Sequence, residues 1–121
     1  MTILDAIRRV DALRHNTFSQ EEKVRWLATL DSRIHKEILS THEGCPDFRP
    51  YTAVTPLDQV LLVPEPYEEL YLYWLQAFMD FYSDEAGRFN QSMQLFKAAY
   101  DAFEADYNRT HLPLGQKFKY V

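Results

Sequence analysis

Residues Pro66–His111 read PYEELYLYWLQAFMDFYSDEAGRFNQSMQLFKAAYDAFEADYNRTH, and their reading decides the fold. The stretch holds 12 of the chain's 18 aromatic residues. Tyr67, Tyr71, Trp74, Phe78 and Phe81 follow one another at steps of 4, 3, 4 and 3. Phe89, Met93, Phe96, Tyr100, Phe103 and Tyr107 step by 4, 3, 4, 3 and 4. Such steps place each set on one face of a helix. Two helices separated by the polar Ser83-Asp84-Glu85 predict an antiparallel hairpin, with a kink as the other reading of that break. The first helix carries a second apolar stripe, Leu72, Leu75, Met79 and Tyr82. A helix apolar on two faces is buried on two sides, and in a chain of 121 residues one side is expected to meet another subunit.

Upstream, Pro64 and Pro66 bracket Glu65. Pro66 suits a first helical turn, and Glu68 and Glu69 suit its positive end. Before them the helical period disappears from Thr41 to Glu65, where Gly44, Pro46, Pro50, Pro56 and Pro64 exclude a long helix. A connection of that length is often functional or ordered by a partner. Its apolar run Val60-Leu61-Leu62-Val63 predicts an extended segment or a short strand, which needs a backbone partner in this chain or a neighbour. Ser19 and Glu22 form a capping box, and Phe18 stands where a hydrophobic staple belongs. Val24, Leu27, Leu30 (or Asp31), Ile34 and Ile38 make the inward face of that helix, with Trp26 off the stripe but read as core. Thr2 and Asp5 open a first short helix whose apolar face is Ile3, Ala6, Ile7, Val10 and Leu13.

The expected fold is therefore all-α, a small four-helix bundle in a single helical domain over residues 1–121. Its helices lie at about 2–14, 19–41, 66–83 and 85–110, the last two forming the long antiparallel C-terminal hairpin. A long proline-containing loop joins helices 2 and 3. Beyond Pro113 and Gly115 an extended tail, residues 112–121, alternates Phe118 and Tyr120 with lysines.

Charge adds a second asymmetry. The net formal charge is −5, which disfavours a nucleic-acid binder held by phosphate contacts. Residues 1–106 carry a net −8, whereas residues 107–121 hold Arg109, Lys117 and Lys119 with no acid. A basic tail on an acidic body can dock on an acidic neighbour, including another copy of itself, or simply be solvated. One cysteine, Cys45, excludes an internal disulfide and fits a reducing compartment. No secretory leader is read at the N-terminus, and the longest apolar run, Leu70–Met79, is too short for a membrane span.

Catalytic patterns are sparse. Three glycines, dispersed along the chain, make no phosphate loop. His42-x-x-Cys45, with Glu43 between, is the nearest approach to a metal site or a Cys–His nucleophile, and it lacks a second ligand pair or an orienting partner. His35 reads as a surface or partly buried histidine, and Glu68-Glu69 as helix N-terminal charge. No catalytic residue, metal ligand or cofactor is expected.

Several motifs carry a resemblance. Leu61-Leu62-Val63-Pro64-x-Pro66-Tyr67-x-Glu69-Leu70-Tyr71-x-Tyr73-Trp74-Leu75 resembles a motif of small proteins encoded in the head–tail gene clusters of tailed phages and prophages of Gram-positive bacteria. Phe89-Asn90-x-Ser92-Met93, Phe96-x-x-Ala99-Tyr100-x-x-Phe103 and Tyr107-Asn108-Arg109-Thr110-His111 are similar to the same group. So are Asp5-Ala6-Ile7-x-x-Val10-Asp11-Ala12-Leu13 and Glu22-Lys23-x-x-Trp26-Leu27. The resemblance covers most of the chain apart from parts of residues 43–58. It implies a head–tail connector (adaptor, head-completion) protein, a non-enzymatic virion structural component assembled in the bacterial host cytoplasm. Such adaptors form a ring of about a dozen subunits on the portal protein and extend its DNA channel. Implied partners are the portal, other connector proteins and further copies, with passive contact to channel DNA and none to membrane. On this reading the subunit or partner contacts fall on Val60, Leu61, Leu62, Val63, Leu72, Leu75, Met79, Arg109, Lys117, Phe118, Lys119 and Tyr120. The alternative from another class is a small helical binding or regulatory module, with a ligand or partner site at the aromatic hairpin near Tyr71, Trp74 or Tyr100.

Overall fold

The computed structural model of the chain describes residues 1–114. Four α-helices follow one another: α1 Ile3–Leu13, α2 Gln20–Glu37, α3 Glu69–Tyr82 and α4 Ala86–Thr110, with a single 3₁₀ turn at Leu39–Thr41. The fold is all-α, a small helical bundle, and no strand is present among the described residues. Two boundaries differ from expectation. The second helix closes at Glu37 and tightens into the 3₁₀ turn. The third begins at Glu69, because Tyr67 N–H donates to Pro64 C=O in a turn that keeps Pro66 outside the helix.

The hairpin is formed as its stripes require. Phe81 meets Phe89 at 5.8 Å between ring centroids, Trp74 meets Phe96 at 4.9 Å and Tyr67 meets Phe103 at 5.9 Å. Numbers that fall on α3 as they rise on α4 define an antiparallel pair. Between the helices Asp84 takes a left-handed φ of 59°, a conformation that Asx residues tolerate best after glycine. This residue makes Ser83–Glu85 a turn instead of a kink.

Most of the second stripe of α3 is covered inside the chain, Tyr82 at its end excepted. The helix also packs on α1 and α2. Leu72, Leu75 and Met79 are at most 2% exposed. The side expected to meet another subunit is thus the side that holds the two N-terminal helices. Trp26 joins this core as expected, stacked on Phe78 at 5.2 Å and accepting, through its carbonyl, the Trp74 indole N–H at 2.9 Å.

Helix α1 is three turns long and would not persist alone. Its start is fixed twice. Thr2 and Asp5 form a reciprocal capping box. The loop then supplies acceptors to the next free donors: Ile3 N–H reaches Gln59 C=O and Leu4 N–H reaches Leu57 C=O, both at 3.0 Å. Leu61 N–H donates to Met1 C=O, and Thr2 bridges Val60 in antiparallel sense. The apolar run therefore finds its backbone partner in this chain, and Leu61 and Val63 point into the core at 4% and 1% exposure. At the start of α2 only half of the expected box forms. Ser19 accepts from Glu22 N–H, but the Glu22 carboxylate turns to Arg25. Phe18 rests edge-on against Trp26 instead of reaching back along its own helix, where the staple position is Lys23.

Candidate functional site

Three places in the structure hold concentrated chemistry. The first is a carboxylate in the core. Asp31, on α2, has no exposed surface. Its Oδ2 accepts Tyr51 O–H at 2.5 Å and Leu62 N–H at 3.1 Å, and its Oδ1 accepts Tyr71 O–H at 2.7 Å. The Tyr71 oxygen in turn accepts Val63 N–H at 2.8 Å. One side chain thus ties α2, α3 and two points of the long loop together. Burial pushes the Asp31 carboxyl up, and the three donors pull it partly back. Burial, then the adjacent Asp31 charge, drive both tyrosines upward as well. The donors satisfy the carboxylate within a closed shell of protein groups, an arrangement suited to holding elements in place. The sequence reading had this position only as a substitute for Leu30. Its partners, up to 40 residues away, leave no local signature.

The second place is the histidine and cysteine cluster at the far end of α2. His42 is engaged away from the Cys45 thiol. It is 4% exposed, its Nδ1 donates to Ile38 C=O at 2.7 Å, and its ring stands edge-on to Tyr107 at 4.9 Å. The neighbour of Cys45 is His35, with Sγ 3.3 Å from Nε2. That same Nε2 lies 3.0 Å from Pro46 C=O, which can only accept, so Nε2 carries the proton and is no base toward the thiol. Among the described residues no group of three or more His, Cys, Asp or Glu side chains is gathered to hold a metal ion.

The third is the free end of the hairpin. Phe81 and Tyr82 are 59% and 57% exposed. Phe78 and Phe89 are half-buried beside them. Phe81 contacts Tyr82 and Phe89, and Tyr82 stacks on Trp26, so the exposed rings continue a buried aromatic cluster. A groove of about 230 Å³ opens between Trp74, Ala77, Phe78, Phe81, Phe89 and Met93. Its lining is apolar, and the Trp74 indole N–H is donated to Trp26. A neighbouring hollow adds Asp84 and Glu85 to Phe81, Tyr82 and Phe89. Solvent-facing aromatic surface of this extent marks an interaction site more often than a scattered apolar residue does.

The residues expected at contacts divide sharply. Leu61, Val63, Leu72, Leu75 and Met79 are core residues, and Leu62 is half-buried above Asp31. Their apolar character serves packing within the chain. Val60 is 60% exposed, and Arg109 is exposed with its guanidinium 3.4 Å from Asp106. Lys117, Phe118, Lys119 and Tyr120 lie outside the described residues. The ligand pocket of the alternative reading loses its polar groups: the Tyr71 hydroxyl is spent on Asp31, the Tyr100 hydroxyl donates to Glu37 at 2.6 Å, and the groove beside Trp74 is apolar. The exposed hairpin end was missed because Phe81 and Phe89 sit on the inward stripes. The available signal was Phe81-Tyr82, two adjacent large rings at a helix end that cannot both face inward.

Among the described residues no helix is long and apolar enough to cross a membrane. Compared with known proteins, the chain matches no family model, no curated protein and no solved structure.

Proposed function

We propose that the chain is a non-enzymatic structural protein of a phage or prophage, a head–tail connector adaptor subunit that assembles as a ring on the portal. The motif resemblance across the chain supplies the identity of the assembly. The observation that carries the structural role is the contrast between a closed polar interior and an open apolar end. Asp31 is saturated by protein donors, while Phe81 and Tyr82 stand more than half exposed over an apolar groove. Small-molecule sites need polar groups converging on a pocket, whereas assembly surfaces need exposed aromatic area on a rigid support. The hairpin supplies that support, since both helices are fastened along their length by ring contacts. The net negative charge also suits a channel lining along which DNA slides without adhering.

The test is genetic. Deleting the gene from an inducible prophage is expected to leave DNA-filled heads and free tails in the lysate, seen by electron microscopy, with infectivity restored by the gene in trans. Normal particles and an unchanged titre would reject the connector assignment.

A further inference from the structure

We infer that the apolar groove at the free end of the hairpin is the receptor for residues 117–120 of a second copy of this chain. The inference stands apart from the connector reading, because it concerns only how copies of the chain meet.

The groove has the size and lining for an aromatic ring. Its volume, about 230 Å³ between Trp74, Ala77, Phe78, Phe81, Phe89 and Met93, exceeds the ~150 Å³ that suffices for benzene in an apolar protein cavity. Asp84 and Glu85 border the adjoining hollow, and both are exposed. Arg88 is the exposed cation nearest in sequence, and it faces the grooves on the α1 side, beside Arg14. The receptor is therefore aromatic, with Asp84 on its acidic side and Glu85 shared with the α1-side hollow that holds Arg14 and Arg88.

The sequence holds one segment with the complementary pattern. Lys117-Phe118-Lys119-Tyr120 alternates ring and cation with no acid. Bound in extended form, its rings fall on one side and its amines on the other. The long lysine stems reach round to the rim while Phe118 enters the groove.

Reach decides between the same copy and another. The last described residues are pinned beside the end of α2: Leu114 N–H donates to Thr41 C=O, and Pro113 bridges His42. That end also holds Tyr107, against which His42 packs. Met93, the nearest wall of the groove on α4, lies 14 residues before Tyr107. At 1.5 Å per residue the groove begins roughly 21 Å away along the helix. Phe118, four residues beyond Leu114, reaches at most ~14 Å. Its backbone therefore stops short of the groove of its own molecule. The donor segment and the receptor are also different surfaces, so the contact is heterologous and closes into a ring or runs on as a filament. A short segment in one groove buries far less than the roughly 800 Å² per partner of a standard stable interface, so single contacts are weak and assembly depends on concentration.

The test places the photoreactive p-benzoylphenylalanine at position 118 of the full chain and irradiates a mixture with ¹⁵N-labelled protein. Mass spectrometry should find links from position 118 to the Phe78–Met93 region, joining labelled to unlabelled copies and rising with concentration. Glu85→Lys with Asp84→Asn, the asparagine chosen to keep the left-handed φ, should lower the yield roughly fivefold, as two exposed charge pairs allow. Lys117→Glu with Lys119→Glu in the linking copy should restore much of it. Circular dichroism of each variant shows that the helices remain. Links within one copy, links to another surface, or none at the highest concentration would overturn the inference. A yield indifferent to the charge changes would overturn it as well. Normal phage assembly by proteins that nonetheless link in this way would leave the inference standing and remove only the connector reading.

Discussion

Removing one oxygen from Tyr71 should cost this fold more than removing any other tyrosine hydroxyl. Tyr71→Phe leaves the ring in a site with no exposed surface and takes away two hydrogen bonds. The first runs from Tyr71 O–H to Asp31 Oδ1 at 2.7 Å, and the second from Val63 N–H to the Tyr71 oxygen at 2.8 Å. A hydrogen bond to a charged group is worth about 1.5–3 kcal/mol, and a buried N–H left without an acceptor costs about 1–3 kcal/mol. The two losses share an atom and do not simply add, so the expected destabilisation is about 3–4 kcal/mol. For a chain of this length that lowers the melting temperature by roughly 12–15 °C. Tyr51→Phe removes one donor from Oδ2, which keeps Leu62 N–H, so it should cost about 1.5–2 kcal/mol. Tyr73 is half-buried and its hydroxyl has no partner among the described residues, so Tyr73→Phe should change stability by less than about 0.5 kcal/mol. Urea unfolding followed by far-ultraviolet circular dichroism gives all three values. If Tyr71→Phe costs under about 1 kcal/mol, or less than Tyr51→Phe, the Asp31 network does not hold the loop to the helices and the account of the core is wrong.

Two further perturbations probe the buried charges. Burial raises Asp31 above its unfolded value, so between those two values the folded chain binds more protons than the unfolded one and stability falls as pH rises. Asp31→Asn should remove that dependence: wild type minus variant, measured by urea unfolding from acid to neutral pH, should decline through the window, and a difference that grows with pH would refute the sign. Arg14 reaches from the end of α1 to the Asp80 carboxylate, which has no exposed surface and also accepts Ser92 O–H at 3.2 Å. Arg14→Met should cost about 3 kcal/mol by leaving that charge unpaired, and adding Asp80→Asn should recover much of the loss in the same assay.

The amino-acid order by itself determined the parts of this protein that depend on near neighbours along the chain. The 3–4 steps of the aromatic residues placed α3 and α4 and made them a pair, because helical period and a short polar break are local properties. Thr2 and Ser19 marked two helix starts for the same reason. Where a side chain's role depends on residues distant in sequence, the order was silent. Leu72, Leu75 and Met79 read as a surplus face, since nothing local says that α1 and α2 lie on it. The order left open whether the loop finds its partner in this chain or a neighbour, whereas Gln59, Leu57 and Leu61 complete the start of α1 and Tyr51 and Leu62 complete Asp31. Only the tertiary structure turned the exposed surface toward the end of the hairpin. There α1 has already stopped at Leu13 and α2 begins only at Gln20, so Phe81 and Tyr82 have too little chain above them to be covered.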